Sequence, residues 1–246
     1  MDNNQNINNK DRYETRKQKR LEEKNASHGN PAVKSFLAWA GIFVLVVGSV
    51  CSLVYFVGTG KNNTGSQTAL LIGAISPTDW LEGNKDSKTI VVEYGDYQCP
   101  ACAAYHTLTK QLATDFKDKI ALVYRNFPLR EIHKYADLSA QTAEAAGKQG
   151  KFWEMHDLLY ENQKTWAESN DAKTIFLGYA KSLDLNMDQF QKDLDSDSIK
   201  NKIEADLQSG IKAGIQGTPT FFINGKSIVN PQSYDEFKNL INASSS

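Results

Sequence analysis

Cysteine is scarce in this chain, with three in 246 residues, at positions 51, 99 and 102. Cys51 falls inside an apolar run, so the region beyond that run holds only Cys99 and Cys102. With no other cysteine there, the pair reads as reactive rather than as one staple in a disulfide framework. Net charge is also lacking: 28 Lys and Arg stand against 29 Asp and Glu, giving −1. Residues 1–35 carry eight of the basic and five of the acidic groups, so the remainder is net −4. No basic stripe is visible in that remainder, which argues against a nucleic-acid partner. No internal repeat is visible. Between Phe36 and Val57 charge is missing altogether, over 22 residues.

That uncharged run is long enough to span a bilayer as one helix. Its N-terminal flank holds Lys10, Arg12, Arg16, Lys17, Lys19, Arg20, Lys24 and Lys34, whereas the other side has only Lys61 before Lys85. The positive-inside rule then predicts a cytoplasmic N-terminus and an extracytoplasmic C-terminal part, in a single-pass protein of the cell membrane. A cleaved signal peptide would have a shorter apolar core and a small-x-small cleavage site. The run here is long, and the Gly58-Thr59-Gly60-Lys61-Asn62-Asn63 that follows is a poor site. An uncleaved signal anchor is the expectation. Cys51 reads as a small apolar residue of that helix rather than a lipidation site. The expected organisation is a basic tail over 1–35, disordered in character, the anchor over 36–57, a flexible linker over 58–75 and a folded domain over 76–243.

Within that domain, Thr89 to Tyr94 reads as a buried strand and Pro100 to Lys117 as an amphipathic helix with Tyr105, Leu108, Leu112 and Phe116 on one face. Cys99-Pro100-Ala101-Cys102 lies at the junction. Two thiols spaced this way at a strand-to-helix boundary indicate thiol–disulfide exchange. Cys99, nearer the helix start, is the candidate nucleophile, because unpaired N–H groups and the helix dipole favour its thiolate. Cys102 would resolve the mixed disulfide. A structural zinc site needs four ligands, and beyond His106 as a third none is obvious nearby, so no metal site is expected. Ile120 to Phe127 reads as a second strand. Residues 129–213 look helical, in about five pieces. Thr220 to Ile223 reads as a strand, Asn224-Gly225 as a hairpin turn, Ser227 to Val229 as its partner and Ser233 to Ile241 as a closing helix. Ser76 to Lys88 reads as an ordered lead-in. Phe152, Trp153, Met155 and Trp166 are expected in the core, and His106, His133 and His156 are given no catalytic role.

The runs Glu93-Tyr94-Gly95-Asp96-Tyr97-Gln98-Cys99-Pro100-Ala101-Cys102, Tyr124-Arg125-Asn126-Phe127-Pro128-Leu129, Gly150-Lys151-Phe152-Trp153-Glu154-Met155-His156-Asp157 and Gly217-Thr218-Pro219-Thr220-Phe221-Phe222-Ile223-Asn224-Gly225 occur in that order. In this the chain resembles the DsbA-like thioredoxin-fold family of membrane-anchored or secreted oxidoreductases, from about Ser76 to Ala243. The resemblance implies an α/β thioredoxin fold with an inserted helical subdomain at about 129–213, here preceded by one N-terminal transmembrane helix. It implies a cis Pro219 facing the cysteines and holding an extended substrate. Thr218 is then either a tuner of the cysteines by hydrogen bonding or a plain loop residue. Family members of this type carry a carboxylate at the position of Glu93. It is read as a buried proton relay to Cys102, the alternative being a solvated group at the strand edge.

The activity implied is disulfide exchange with exported cysteine-containing proteins, without a bound cofactor. As an oxidase the protein would be reoxidised by a membrane quinone-linked partner, DsbB-like or vitamin K epoxide reductase-like. A reductase or isomerase of the same fold, or a tethered non-catalytic binding module, is the alternative.

Overall fold

The computed structural model describes residues 4–27, 72 and 74–244. The predicted anchor 36–57, Cys51 and nearly all of the 58–75 linker lie outside them. Among the described residues no helix is long and apolar enough to cross a membrane. The first unit holds helix α1, Asn4–Ser27. The disordered tail expected there is instead helical over 24 residues. Its Lys, Arg, Glu and Gln are good helix formers, and from Arg12 to Lys24 every side chain is exposed.

The second unit is built on a five-stranded sheet in the order β1-β3-β2-β4-β5. These strands are β1 (Trp80–Gly83), β2 (Thr89–Gly95), β3 (Ile120–Asn126), β4 (Thr220–Ile223) and β5 (Lys226–Ser227). β2 and β3 run parallel, joined through helix α2 (Pro100–Asp115), and all other pairings are antiparallel. Both central strands are buried almost throughout, as strands covered on two faces should be. Alternation sorts their side chains. Val91, Leu122, Phe221 and Ile223 pack with Leu112 of α2, with Phe116 at its C-cap and with Phe237 and Ile241 of α9 (Tyr234–Ser244). Val92, Tyr94, Val123 and Phe222 form the opposite layer with Phe127 and Ile215.

Six helices rather than about five separate β3 from β4: α3 (Ala136–Gly147), α4 (Phe152–Glu161), α5 (Gln163–Ala167), α6 (Ala172–Ser182), α7 (Met187–Leu194) and α8 (Asp197–Lys212). The extra one is the single turn of α5, too short to show a period. Asp171 and Asn186 cap α6 and α7, their side chains accepting from Thr174 N at 3.1 Å and Gln189 N at 3.0 Å. Phe152, Met155, Leu159, Trp166, Phe176, Phe190, Leu194 and Ile203 form a core that continues into Tyr97, Tyr124, Cys99 and Cys102, with Trp153 half-buried at its edge. The cysteine pair therefore sits where the helical insertion packs on the sheet.

Three local expectations shift. The lead-in Ser76 to Lys88 contains strand β1, which pairs Trp80 with Tyr124 on the free edge of β3. The hairpin turn is as expected, with Asn224 at φ 49° and Gly225 at φ 77°. Its two-residue length aligns Ile223 with Lys226, so the partner strand is Lys226–Ser227 and not Ser227–Val229. On α2 the buried stripe is Cys102, His106, Thr109, Leu112 and Ala113, while Tyr105 and Leu108 are half-buried flanks. The helix has turned to bring Cys102 and His106 inward.

Candidate active site

β2 delivers Glu93, Asp96 and the cysteine loop to one end of the sheet. β4 begins at the same end, because its antiparallel register pairs Tyr94 with Thr220 and Glu93 with Phe221. The Thr218–Pro219 bond preceding β4 is cis and faces the start of α2. There, Cys99 Sγ lies 3.4 Å from Thr218 O and donates to it as the thiol. Asn230 Nδ2 donates to Pro219 O at 2.8 Å and Thr220 Oγ1 to Gly217 O at 2.7 Å, which fix the proline loop on both sides. Thr218 Oγ1 is buried with no partner, so its hydroxyl is available to the Cys99 sulfur once that sulfur becomes an acceptor.

Cys99 is the N-cap of α2, with extended backbone (φ −73°, ψ 120°) and Pro100 in the first turn. Both thiols are free; Cys99 is 7% exposed and Cys102 is fully buried. The two are driven apart electrostatically. The Cys99 thiol is lowered to about 5, first by the hydrogen bond from the Cys102 thiol, with further donation from Thr218 and from the N–H groups of Cys102 and Ala101, against the opposing effect of burial. Cys102 is raised well above the usual thiol range, chiefly by burial and by its bond to Cys99, then by the charge of Glu93. At neutral pH one sulfur is a thiolate and the other keeps its proton.

Glu93 is buried at 3% exposure on the α2-facing side of β2, and its Oε1 has no hydrogen-bond partner. Desolvation, then the negative charge of Cys99, push its carboxyl up to about 8. It thus holds its proton at pH 7; when ionised, it lies close enough for its charge to raise Cys102, Tyr97, Tyr124 and Tyr160.

The spacing of the sequence did not reveal the residues that hold this loop. Gln163 Nε2 donates to Tyr97 O at 2.7 Å and Cys99 O at 2.9 Å, from 64 residues beyond Cys99. Asp96 accepts from Gln98 N and Leu129 N, each at 2.8 Å, and binds His133 Nδ1 at 2.8 Å. His133 thereby ties the loop after β3 to the cysteine loop. His106 and His156 lie together in a buried ring cluster with Tyr97, Tyr124 and Tyr160. Among the described residues the metal-ligating groups that converge are His106, His156 and Asp157, and neither cysteine is among them. The arrangement at the cysteines suits nucleophilic exchange: a nearly buried thiolate at a helix start, a protonated partner thiol behind it, a buried acid, and a loop edge across which an extended peptide can lie.

Residues 76–243 match the family described as Thioredoxin. The Na(+)/H(+) antiporter NhaA 1 of Salinispora arenicola is 39% identical over 157 residues, 64% of this chain. The chain spans only 23% of that antiporter's length. A probable disulfide bond formation protein D of Bacillus cereus is 34% identical over 207 residues, covering 81% of this chain and 91% of the relative. Among solved structures, oxidised BdbD from Bacillus subtilis superposes with a TM-score of 0.59 at 28% identity, over 67% of this chain and 91% of that one.

Proposed function

We propose that this chain, which belongs to the DsbA-like thioredoxin-fold family, is a membrane-anchored, extracytoplasmic oxidase that forms disulfides in exported proteins. The observation that carries the reading is the divergence of the two thiols, Cys99 lowered to about 5 and Cys102 raised. A sulfur stable as a thiolate is a good leaving group and favours the reduced pair, so the corresponding disulfide is a strong oxidant.

The oxidised pair is attacked at Cys99 by a substrate thiolate. The Cys99–Cys102 bond breaks, a substrate–Cys99 bond forms, and the electron pair leaves on Cys102. That sulfur holds a proton strongly, and Glu93, protonated at neutral pH with a carboxyl near 8, supplies it. A second substrate thiolate then attacks its own sulfur in the mixed disulfide and expels Cys99 as the thiolate. The substrate has lost two electrons and the pair has gained them. A membrane quinone-linked reoxidase, DsbB-like or vitamin K epoxide reductase-like, would remove them. Pro219 and the loop held by Asn230 give the substrate an edge beside Cys99. The apolar run 36–57 and its basic N-terminal flank support the anchor and its orientation.

The test is trapping in intact cells. Cys102→Ser should accumulate mixed disulfides through Cys99 with exported proteins, absent when Cys99→Ala is added, and Cys99 should react with a membrane-impermeant thiol reagent. If adducts are equally absent from both variants, the exchange reading fails. Reaction only after membrane permeabilisation overturns the orientation.

A further inference from the structure

One buried polar group plays no part in the exchange chemistry and has no partner of its own. His106, one turn beyond Cys102 on the inner face of α2, is 5% exposed, and neither ring nitrogen makes a hydrogen bond. Its Nε2 lies 3.5 Å from Asp157 Oδ1, close, but without hydrogen-bond geometry. A buried imidazole with an idle N–H and an idle lone pair has lost its water and gained nothing in exchange. Across the interface, α4 presents His156 and Asp157 in adjacent positions. His156 Nδ1 is engaged by the Tyr97 hydroxyl at 3.1 Å, which leaves its Nε2 for another partner. One ligand atom each from His106, His156 and Asp157 lie within 4.8 Å of one another.

We propose that His106, His156 and Asp157 form a binding site for a single divalent transition-metal ion of the Zn2+ class, bridging α2 and α4 beneath the cysteine pair. Two imidazoles and one carboxylate make a borderline donor set, suited to Zn2+ and unlike the all-oxygen sets of Ca2+ and Mg2+. The Tyr97 contact on the far nitrogen of His156 is the kind of outer hydrogen bond that fixes a ligating ring. Bonds of about 2.0–2.2 Å to Zn2+ require the three atoms to draw closer together than 4.8 Å. The movement falls on Asp157, the most exposed of the three, once its Lys110 contact is released.

A positive charge already occupies the outer side of this cluster. Lys110 Nζ lies 2.7 Å from Asp157 Oδ2 and 2.7 Å from Glu161 Oε1. Its side chain is 48% exposed, so it can swing into water when a divalent ion takes Asp157. That departure frees Glu161, one turn beyond Asp157, to serve as the fourth ligand, or leaves the position to water. The ammonium is thus a competitor for the site, and this gives the proposal a test that an unrelated surface site would not pass.

The experiment uses the full-length chain in detergent with Cys99 and Cys102 held as a disulfide, so that no thiolate of the pair can bind metal. Zn2+ binding is followed by calorimetry, and Co2+ binding by its visible absorption. The expected result is one ion per chain with the spectrum of nitrogen–oxygen coordination. Asp157→Asn, at a half-exposed position that leaves the fold intact, and His106→Phe should each weaken binding by at least about tenfold. Lys110→Gln should tighten it. No uptake by the wild-type chain, or uptake equal in the wild type and Asp157→Asn, overturns the site. So does weaker binding by Lys110→Gln. The outcome is independent of whatever chemistry the cysteine pair performs.

Discussion

Replacing Glu93 with Gln should shift the stability balance toward the variant as pH rises from 4 to 7, and lower activity at once. Glu93 titrates near 8 in the folded chain against 4.5 for a free side chain. A carboxyl whose folded value is raised binds more protons in the folded state, so its contribution is nil below about pH 4.5, becomes unfavourable as pH rises, and levels off above about 8. At pH 7 the unfolded side chain is ionised and the folded one is not. The gap of about 2.5 units between pH 7 and the free value, at about 1.36 kcal/mol each, gives roughly 3 kcal/mol of destabilisation. Because the group is almost fully buried, water does little to screen it. Glu93→Gln keeps the shape and removes the ionisation. Burying the amide carries a penalty of its own, but one that does not change with pH. The measurable quantity is therefore the stability difference between variant and wild type by urea unfolding at pH 4 and pH 7. It should move by about 3 kcal/mol in favour of the variant on going to pH 7. Turnover of a model dithiol peptide should fall by about 100-fold, the lower end for loss of a general acid–base group. A stability difference that stays constant with pH would show that Glu93 titrates normally, and the proton supply to Cys102 assigned to it would fail.

Alkylation of the reduced protein by iodoacetamide should be half-maximal near pH 5 at Cys99, while Cys102 stays unreactive through pH 9; a midpoint near 8.5 for Cys99 would mean that the helix start and Thr218 do not stabilise its thiolate. Gln163→Leu should cost about 2–4 kcal/mol in urea unfolding, because it strips the donor from two buried carbonyls, and it should slow exchange through Cys99; a change under about 0.5 kcal/mol would mean the loop is held by other bonds. Asp79→Ala leaves Arg125 buried at 5% exposure without its 2.7 Å carboxylate partner; a loss of about 3–5 kcal/mol is expected, and a loss under about 1 kcal/mol would show that the tie between the lead-in and β3 is not sealed from water.

The sheet centre was legible because its residues obey simple periods. Ile90-Val91-Val92 is a short apolar run, Ile120 to Phe127 alternates and is rich in strand formers, and Asn224-Gly225 is a strong hairpin-turn signal. β1 was not legible because a four-residue edge strand needs no alternation, and its Trp80 and Gly83 look like loop punctuation until Tyr124 supplies the pairing. On α2 the hydrophobic pattern pointed to Tyr105 and Leu108, but the helix buries His106 and Thr109 instead, since the ring cluster and the inward Cys102 set its rotation. At the site, local spacing picked out Cys99 and Cys102. Thr218 and Pro219 were visible only through family resemblance, because they meet the cysteines through the register of β4 on β2, and the role of Glu93 rests on its burial, which a single carboxylate in a strand does not announce. Gln163 was out of reach of either approach, since what makes it important is a backbone carbonyl it touches across the fold.

The central claim is that the pair is poised to oxidise. An equilibrium titration of Cys99–Cys102 against glutathione tests it most directly. First-cysteine values of about 3.5 and about 7 accompany potentials of about −120 and about −270 mV. A Cys99 near 5 falls between them, and interpolation places this protein at roughly −180 mV. A potential above about −200 mV is the predicted result, and one at or below about −270 mV would contradict the account and make the pair a reductant.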